Sequence, residues 1–320
     1  MNNPMHFLSS VTPRCPQRLL QQAKSLPIPR VALVNAGATT PLQGLREATD
    51  HGLAHPILIG DQTKIRAAAE QIGWDISPFR LIHAPEAQAA PAAAALAVKG
   101  EADSIMKGQI HTSTFLKGLL PSAYGLRDKA MHCGHILHIT TPHSDRPLLL
   151  TDAALNTAPS VEMRQACLTH AVRLAQALGI PNPKVGLLAP SEDVTPGIPN
   201  TGEAAAIAEW AKTALPMATV QGPMALDLIL SSAAALAKDY QSDVSGDADI
   251  IIVPEITTGN ALFKLMVLGM GCCAGGIVMG LKVPLLLTSR SQQSPDRIAS
   301  AALGVIAAGM AAGMAAGMAA

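Results

Sequence analysis

The chain has 320 residues, of which 49% are apolar and 14% charged, and its 23 Lys plus Arg balance 23 Asp plus Glu. So much apolar material implies a large packed interior and excludes a disordered chain. Zero net charge and 2% aromatics leave neither the basic surface nor the stacking platforms that nucleic-acid binding needs.

The N-terminus lacks a signal-peptide pattern, because Pro4, Pro13, Arg14 and Pro16 interrupt it. Five cysteines without paired spacing fit a reducing cytoplasm. Cys272 and Cys273 are expected to be small buried residues. Strand-like and helix-like segments then alternate. Pro29–Val34 reads as a strand stopped by Asn35-Ala36-Gly37, Thr40–His51 as a helix, His55–Ile59 as a strand and Thr63–Ile72 as a helix. Phe79–His83 is strand-like, Glu86–Lys99 an Ala-rich helix, Ser104–Met106 a strand stopping at Lys107-Gly108, and Thr112–Leu120 a helix.

The second half repeats the rhythm. Strands are expected at His135–Ile139, Pro147–Leu150, Lys184–Leu188, Asp249–Val253, Gly276–Met279 and Val283–Leu287. Helices are expected at Val161–Leu178, Gly202–Ala214, Ala225–Lys238 and Ala261–Met270. This order implies mostly parallel sheets covered by helices. The Pro- and Thr-rich loop Thr140–Pro147 marks a crossing between two lobes, 1–142 plus 290–320 and 143–289. From Ile298 onward the chain carries no charge, but Ala and Gly insert poorly into lipid, so the tail reads as the end of a last helix and no membrane span is expected.

Polar residues recur where strands stop. Lys107, His111 and Thr112 join a cation to a helix start, Asp152 and Asn156 follow a Leu-rich strand, and Asn260 reads as a cap after another. The richest corner runs from Val283 to Asp296. Its apolar run ends at Thr288, Ser289 and Arg290; Ser294 then reads as an N-cap, Pro295 as the first helical residue and Asp296 as a first-turn acid. Hydroxyls, a guanidinium and free N–H groups there suit an anion. The cluster His132, Cys133, His135, His138 and His143 has metal-ligand chemistry, but strand alternation splits it between two faces and no second cysteine cluster completes it, so no metal is expected. Gly269, Gly271 and Ala274 match a dinucleotide pattern but follow a helix-like stretch, without a βαβ frame.

Taken in order, Met106–Thr112, Gly125–Arg127, Leu149–Asn156, Gln221–Asp227, Ser245–Ile250, Val253–Asn260 and Leu287–Arg290 resemble the phosphate acetyltransferase and phosphate butyryltransferase family. The arrangement is most similar to the acyltransferase half of proteins that carry a hydratase-like domain in front, with no such domain expected here. The resemblance implies a two-lobed, three-layer α/β/α fold of the isocitrate/isopropylmalate dehydrogenase-like kind, usually a homodimer, with the active site in the inter-lobe cleft. The implied reaction is acyl-CoA plus phosphate giving acyl phosphate plus CoA, acetyl favoured and butyryl the alternative. It uses coenzyme A and phosphate as substrates and no bound cofactor; a non-catalytic CoA- or acyl-phosphate-binding paralogue is the further alternative.

The same resemblance implies Ser289, Arg290 and Asp296 as catalytic residues. Lys107, His111, Thr112, Arg127, Asp152, Asn156, Asp227, Asn260 and Thr288 are implied as phosphate, acyl or CoA contacts. Butyryl-type relatives commonly keep an Asp two beyond the Arg, where this chain has Gln292. Acetyl-type relatives place one six beyond, which Asp296 matches.

Overall fold

The computed structural model describes residues 7–127, 131–287 and 293–319, with the side chains of the last helix described through 313. The chain forms two compact units. A flanking unit comprises Arg14–Met131 and Gly275–Ala320, and a middle unit comprises Met1–Pro13 and His132–Ala274. The chain therefore changes unit at 13/14, 131/132 and 274/275, where the sequence expectation had two crossings, at 142/143 and 289/290.

The flanking unit opens with α1 (Gln17–Lys24), β1 (Arg30–Val34), α2 (Thr39–Asp50), β2 (His55–Gly60) and α3 (Gln62–Gln71). It continues with β3 (Arg80–His83), α4 (Glu86–Val98), β4 (Ser104–Lys107) and the short α5 (Thr112–Lys117). Local chemistry explains the boundaries. Asp61 accepts from the N–H groups of Thr63 and Lys64 and starts α3, and Ile65, Ala68 and Ala69 then recur on its buried face.

The middle unit contains β5 (Gly134–Thr140), β6 (Leu148–Thr151), α6 (Val161–Ala177), β7 (Lys184–Leu188) and α7 (Pro199–Ala214). It goes on through β8 (Thr219–Met224), α8 (Leu226–Leu230), α9 (Ser232–Ala237), β9 (Ile250–Ile252) and α10 (Ile256–Lys264). A π-helical turn over Leu265–Gly269 extends α10. Strand β10 (Cys273–Met279) carries the chain back into the flanking unit, which ends with β11 (Leu285–Leu286) and α11 (Ser294–Ala319).

Strand order in the flanking unit is β3-β2-β1-β4-β11-β10. All its neighbours are parallel except β10 against β11. The middle unit runs β5-β6-β9-β7-β8, parallel except for β5 against β6. This is the expected mostly parallel α/β architecture with flanking helices. The core of the middle unit joins Leu137, Leu150, Ile229, Ile251 and Val253, each almost fully buried. Fully buried aliphatic side chains of this kind contribute about 1.5–3 kcal/mol apiece relative to exposure.

Four elements depart from the sequence expectation. Helix α1 was not expected, because the prolines before it suppress the local signal. Strand β8 carries Gly222 and Pro223 and was also missed; among the described strands it pairs with β7 alone, and a sheet edge tolerates proline because one row of ladder bonds is absent there. The single helix expected over 225–238 is two, since Ser231 adopts an extended backbone and its side chain caps α9 by accepting from Ala234 N. Helix α10 starts at Ile256 because Glu255 caps it, accepting from the N–H groups of Thr257 and Thr258. Asn260, read as the cap, instead lies inside that helix.

Candidate functional site

In the flanking unit, β1, β4 and β11 are parallel, so Asn35, Lys107 and Leu287 leave the sheet at one edge. That carboxyl edge is where open α/β sheets place ligands. The turn after β4 is locked to the end of β1. Gly108 N donates to Val34 O at 2.9 Å, Gln109 N donates to Asn35 O at 3.1 Å, and the Asn35 amide donates to Gln109 O. A side chain at Gly108 would collide with Val34 O and lie 2.6 Å from Asn35 O. Only glycine fits this turn.

Lys107 is 9% exposed, and its ammonium donates to Ile110 O at 3.0 Å and Gly108 O at 3.3 Å. The cation is thereby held over its own turn. His111 occupies the cap position of α5 without a side-chain cap bond, and Thr112 begins the helix; both are exposed. Arg127 is half-buried, its Nη1 donating to Met131 O at 3.4 Å, while its buried Nε has no partner among the described residues.

Thr288, Ser289 and Arg290, with Gln292, lie outside the described residues. Asp296 does not: it sits in the first turn of α11, 1% exposed, and accepts from Gln293 N at 3.1 Å. This is the acid half of a capping box. Ser294, expected to cap the helix, lies in its first turn and donates to Glu47 Oε2 at 2.9 Å.

The middle unit gathers a second set. Asp152, 5% exposed, accepts from Ala154 N at 2.8 Å, Leu155 N at 2.9 Å, and His135 N and Asn156 N at 3.3 Å. Asn156 Nδ2 donates to Asp152 Oδ2 at 2.7 Å and to Cys133 O at 2.8 Å. These bonds make Asp152 and Asn156 a buried brace after β6. Asn260 Nδ2 donates to Ala153 O at 3.2 Å, and the neighbouring Gly259 lets the backbones approach, since a Cβ there would be 2.6 Å from Asp152 O. Asp152, Asn156 and Asn260 thus belong together. Asp227 does not join them: it is exposed after β8, two strands from β9, and pairs with Lys238 Nζ at 3.0 Å. That lysine's donation holds the Asp227 carboxyl below its usual range.

The histidine cluster is mostly interior. Burial pushes His138 down to about 4 and lowers His135 as well, against the pull of Asp152. Among the described residues no three metal-ligating side chains converge. Burial, with Asp152 nearby, pushes the Cys167 thiol up to about 12, and all five cysteines are buried and outside any disulfide. Sequence reasoning missed Glu47, Arg297 and Glu255. Glu255 carried a local signal, an acid two residues ahead of Thr257; the first two pair across 250 positions, which no local pattern reveals.

A family model described as phosphate acetyl/butaryl transferase matches residues 85–305. The chain belongs to the phosphate acetyl/butyryl transferase family. It is 35% identical over 294 residues to a phosphate butyryltransferase of Clostridium acetobutylicum, covering 91% of this chain and 97% of that one. It is likewise 35% identical over 269 residues to a phosphate acetyltransferase of Rhizobium meliloti, covering 83% and 85%.

Among solved structures, a branched-chain phosphotransacylase from Enterococcus faecalis V583 matches with a TM-score of 0.77 at 30% identity, covering 88% of this chain and 99% of that one. A 4-hydroxythreonine-4-phosphate dehydrogenase from Burkholderia phymatum, at 15% identity and a TM-score of 0.51, shares the fold alone. In this member of the transferase family no helix among the described residues is long and apolar enough to cross a membrane.

Proposed function

We propose that the chain is a phosphate acyltransferase that reversibly exchanges a short acyl group between coenzyme A and inorganic phosphate, acetyl first. The observation that carries this reading is that one family match, 85–305, spans every strand-end motif from Lys107 to Asp296. A four-carbon acyl group is the second reading, supported by butyryltransferases 35% and 32% identical to the chain over almost their whole length.

The chemistry suits direct transfer in a ternary complex. In the direction that consumes acyl phosphate, the CoA sulfur forms a bond to the acyl carbon, the carbon–oxygen bond to phosphate breaks, and the thiol proton passes to a base. Thiols near pKa 8.5 are mostly protonated at neutral pH, so a carboxylate base speeds attack, and Asp296 takes that role. Arg290 holds the phosphate oxygens with a planar fork and stabilises charge gathering on them. Ser289 and Thr288 donate to the carbonyl or leaving oxygen. Lys107, His111, Thr112 and Arg127 complete the phosphate and CoA contacts. Asp152 and Asn156 act by bracing the loop after β6.

No organic prosthetic group is needed for this exchange. A cytoplasmic setting is supported by five cysteines that form no disulfide. A homodimer is supported by an apolar surface on the middle unit, where Phe7, Leu8, Leu265, Leu268 and Met270 are all more than half exposed and Ser9 N donates to Leu268 O. The test is phosphate-dependent CoA release from acetyl-, propionyl- and butyryl-CoA by the purified protein. Release from at least one supports the reading; none from any of them sinks it.

A further inference from the structure

The start of α11 is gripped by a single carboxylate on α2. Glu47 Oε2 accepts from Ser294 Oγ at 2.9 Å and Arg297 Nε at 3.1 Å. Arg297 Nη2 also reaches Oε1 and Oε2, both at 2.9 Å. Glu47 and Arg297 are each 17% exposed, so the pair is largely shielded from water. Such a forked, charge-assisted contact sets direction as well as distance.

The packing around it is specific. Gly44, one turn before Glu47, leaves space for the arginine stem: a Cβ there would be 3.0 Å from Arg297 Cδ and 3.5 Å from Met106 Cε. Met106 precedes Lys107 in β4, so one seam touches both the helix start and the strand end that carries Lys107. On the far side Ser300 Oγ donates to Asp296 O at 2.9 Å and accepts from Gly276 N at 3.0 Å. Asp296 lies between the two residues that Glu47 holds, Ser294 and Arg297.

We propose that Glu47 is a positioning residue for the acyl transfer: through Ser294 and Arg297 it sets the first turn of α11, and with it the Asp296 carboxylate. This rests on the acyltransferase reading above. Glu47 touches no reacting atom in this scheme; it acts through Asp296. A stability role alone is a poor account of so many donors on one carboxylate, since desolvation offsets much of the attraction within a shielded ion pair. Burial works against the charged Glu47, and donation from Arg297 and Ser294 outweighs it, so its pKa lies below the ordinary value and the grip is intact at neutral pH.

The test measures kcat, KM and the pH profile of phosphate-dependent CoA release for E47A, E47Q and R297K, with melting temperatures alongside. A displaced base predicts a kcat loss of about 10- to 100-fold in E47A, with KM for acyl-CoA and phosphate changed less than about threefold. E47Q and R297K, which keep part of the hydrogen bonding, should fall between E47A and wild type. In a D296N background E47A should cost little more, because the two act as one unit. A lowered melting temperature with unchanged kcat and pH profile overturns the proposal, as does full additivity with D296N. Should E47A fail to fold, E47Q and R297K decide the matter by the same kcat and pH readouts. A wild-type protein without CoA release removes the acyltransferase reading and this proposal together, whereas an active wild type indifferent to Glu47 removes only the proposal.

Discussion

Replacing Gly108 by alanine tests the geometry of the Lys107 turn most directly. The new Cβ would collide with Val34 O and stand 2.6 Å from Asn35 O, both backbone atoms of a buried strand end that cannot rotate aside. The turn must therefore retreat by several tenths of an ångström. That retreat weakens the bonds from Gly108 N to Val34 O and from Gln109 N to Asn35 O, 2.9 and 3.1 Å in length. Overpacking costs about 1–3 kcal/mol and each weakened bond up to about 1 kcal/mol, giving about 3 kcal/mol in all. At about 2–4 °C per kcal/mol, melting should fall by roughly 6–12 °C.

Because the Lys107 ammonium is held over the same turn, CoA release should drop by about 100-fold in the surviving folded protein. Gly309→Ala serves as the control. It lies inside α11, a Cβ there would sit 3.7 Å from Leu26 Cδ1, and it should gain up to about 1 kcal/mol. Calorimetry and the thiol-release assay read both variants. Wild-type melting and turnover in Gly108→Ala would refute the argument that the turn admits only glycine.

Four further outcomes are expected. Asp296→Asn should keep the bond from Gln293 N, since an amide oxygen also accepts, yet lose about 100-fold or more in kcat at neutral pH. Assayed as acyl-CoA formation from acyl phosphate and CoA, it should recover as pH approaches about 8.5, where the attacking CoA thiol ionises by itself; a flat deficit across that range would remove the base assignment. Arg290→Ala should lower kcat by about 100- to 1,000-fold, and wild-type turnover in it would exclude a phosphate clamp there.

His138, buried neutral with its pKa pushed down to about 4, binds a proton far more readily when unfolded, where a histidine titrates near about 6.5. Its contribution is therefore complete above pH 6.5 and lost as pH falls toward 4, a slope of order 3 kcal/mol in total. Denaturant titrations of His138→Gln should show a flatter fall over that window. Cys167, pushed up to about 12, should resist thiol reagents at pH 8 in the folded protein and react promptly once the protein is unfolded.

Some features were readable locally and some were not. Apolar runs stopped by Asn, Gly or Lys gave β1, β2 and β4 within a residue or two, because a buried parallel strand needs a continuous apolar stretch and then a polar exit. Asp296 was readable as a first-turn acid, since capping chemistry acts over three or four residues. Asn260 was misread as a cap because Glu255, five residues earlier, is a less common capping residue and the threonines after it look like ordinary loop. Strand β8 was invisible because proline argues against a strand unless one knows that it lies at an edge. Asp227 was implied as a site residue by the family string around it alone, and the structure sets it apart, exposed after edge strand β8 and paired with Lys238.

The corner Thr288–Asp296, with the family strings around it, marked the transferase family from sequence alone, because the residue types that handle phosphate and thiol sit in short contiguous strings. The two-layered logic of strand ends followed from the same local patterns. Tertiary structure alone decided which of those residues are spent internally. It turned Asp152 and Asn156 into a buried brace, placed Lys107 over its own turn, and joined Glu47 to Ser294 and Arg297. Contacts between residues some 250 positions apart leave no periodicity in a chain; they exist only once packing has brought two helices together. Asp296 was legible as a helix-start acid, whereas the hold of Glu47 on Ser294 and Arg297, which flank it, came only from packing.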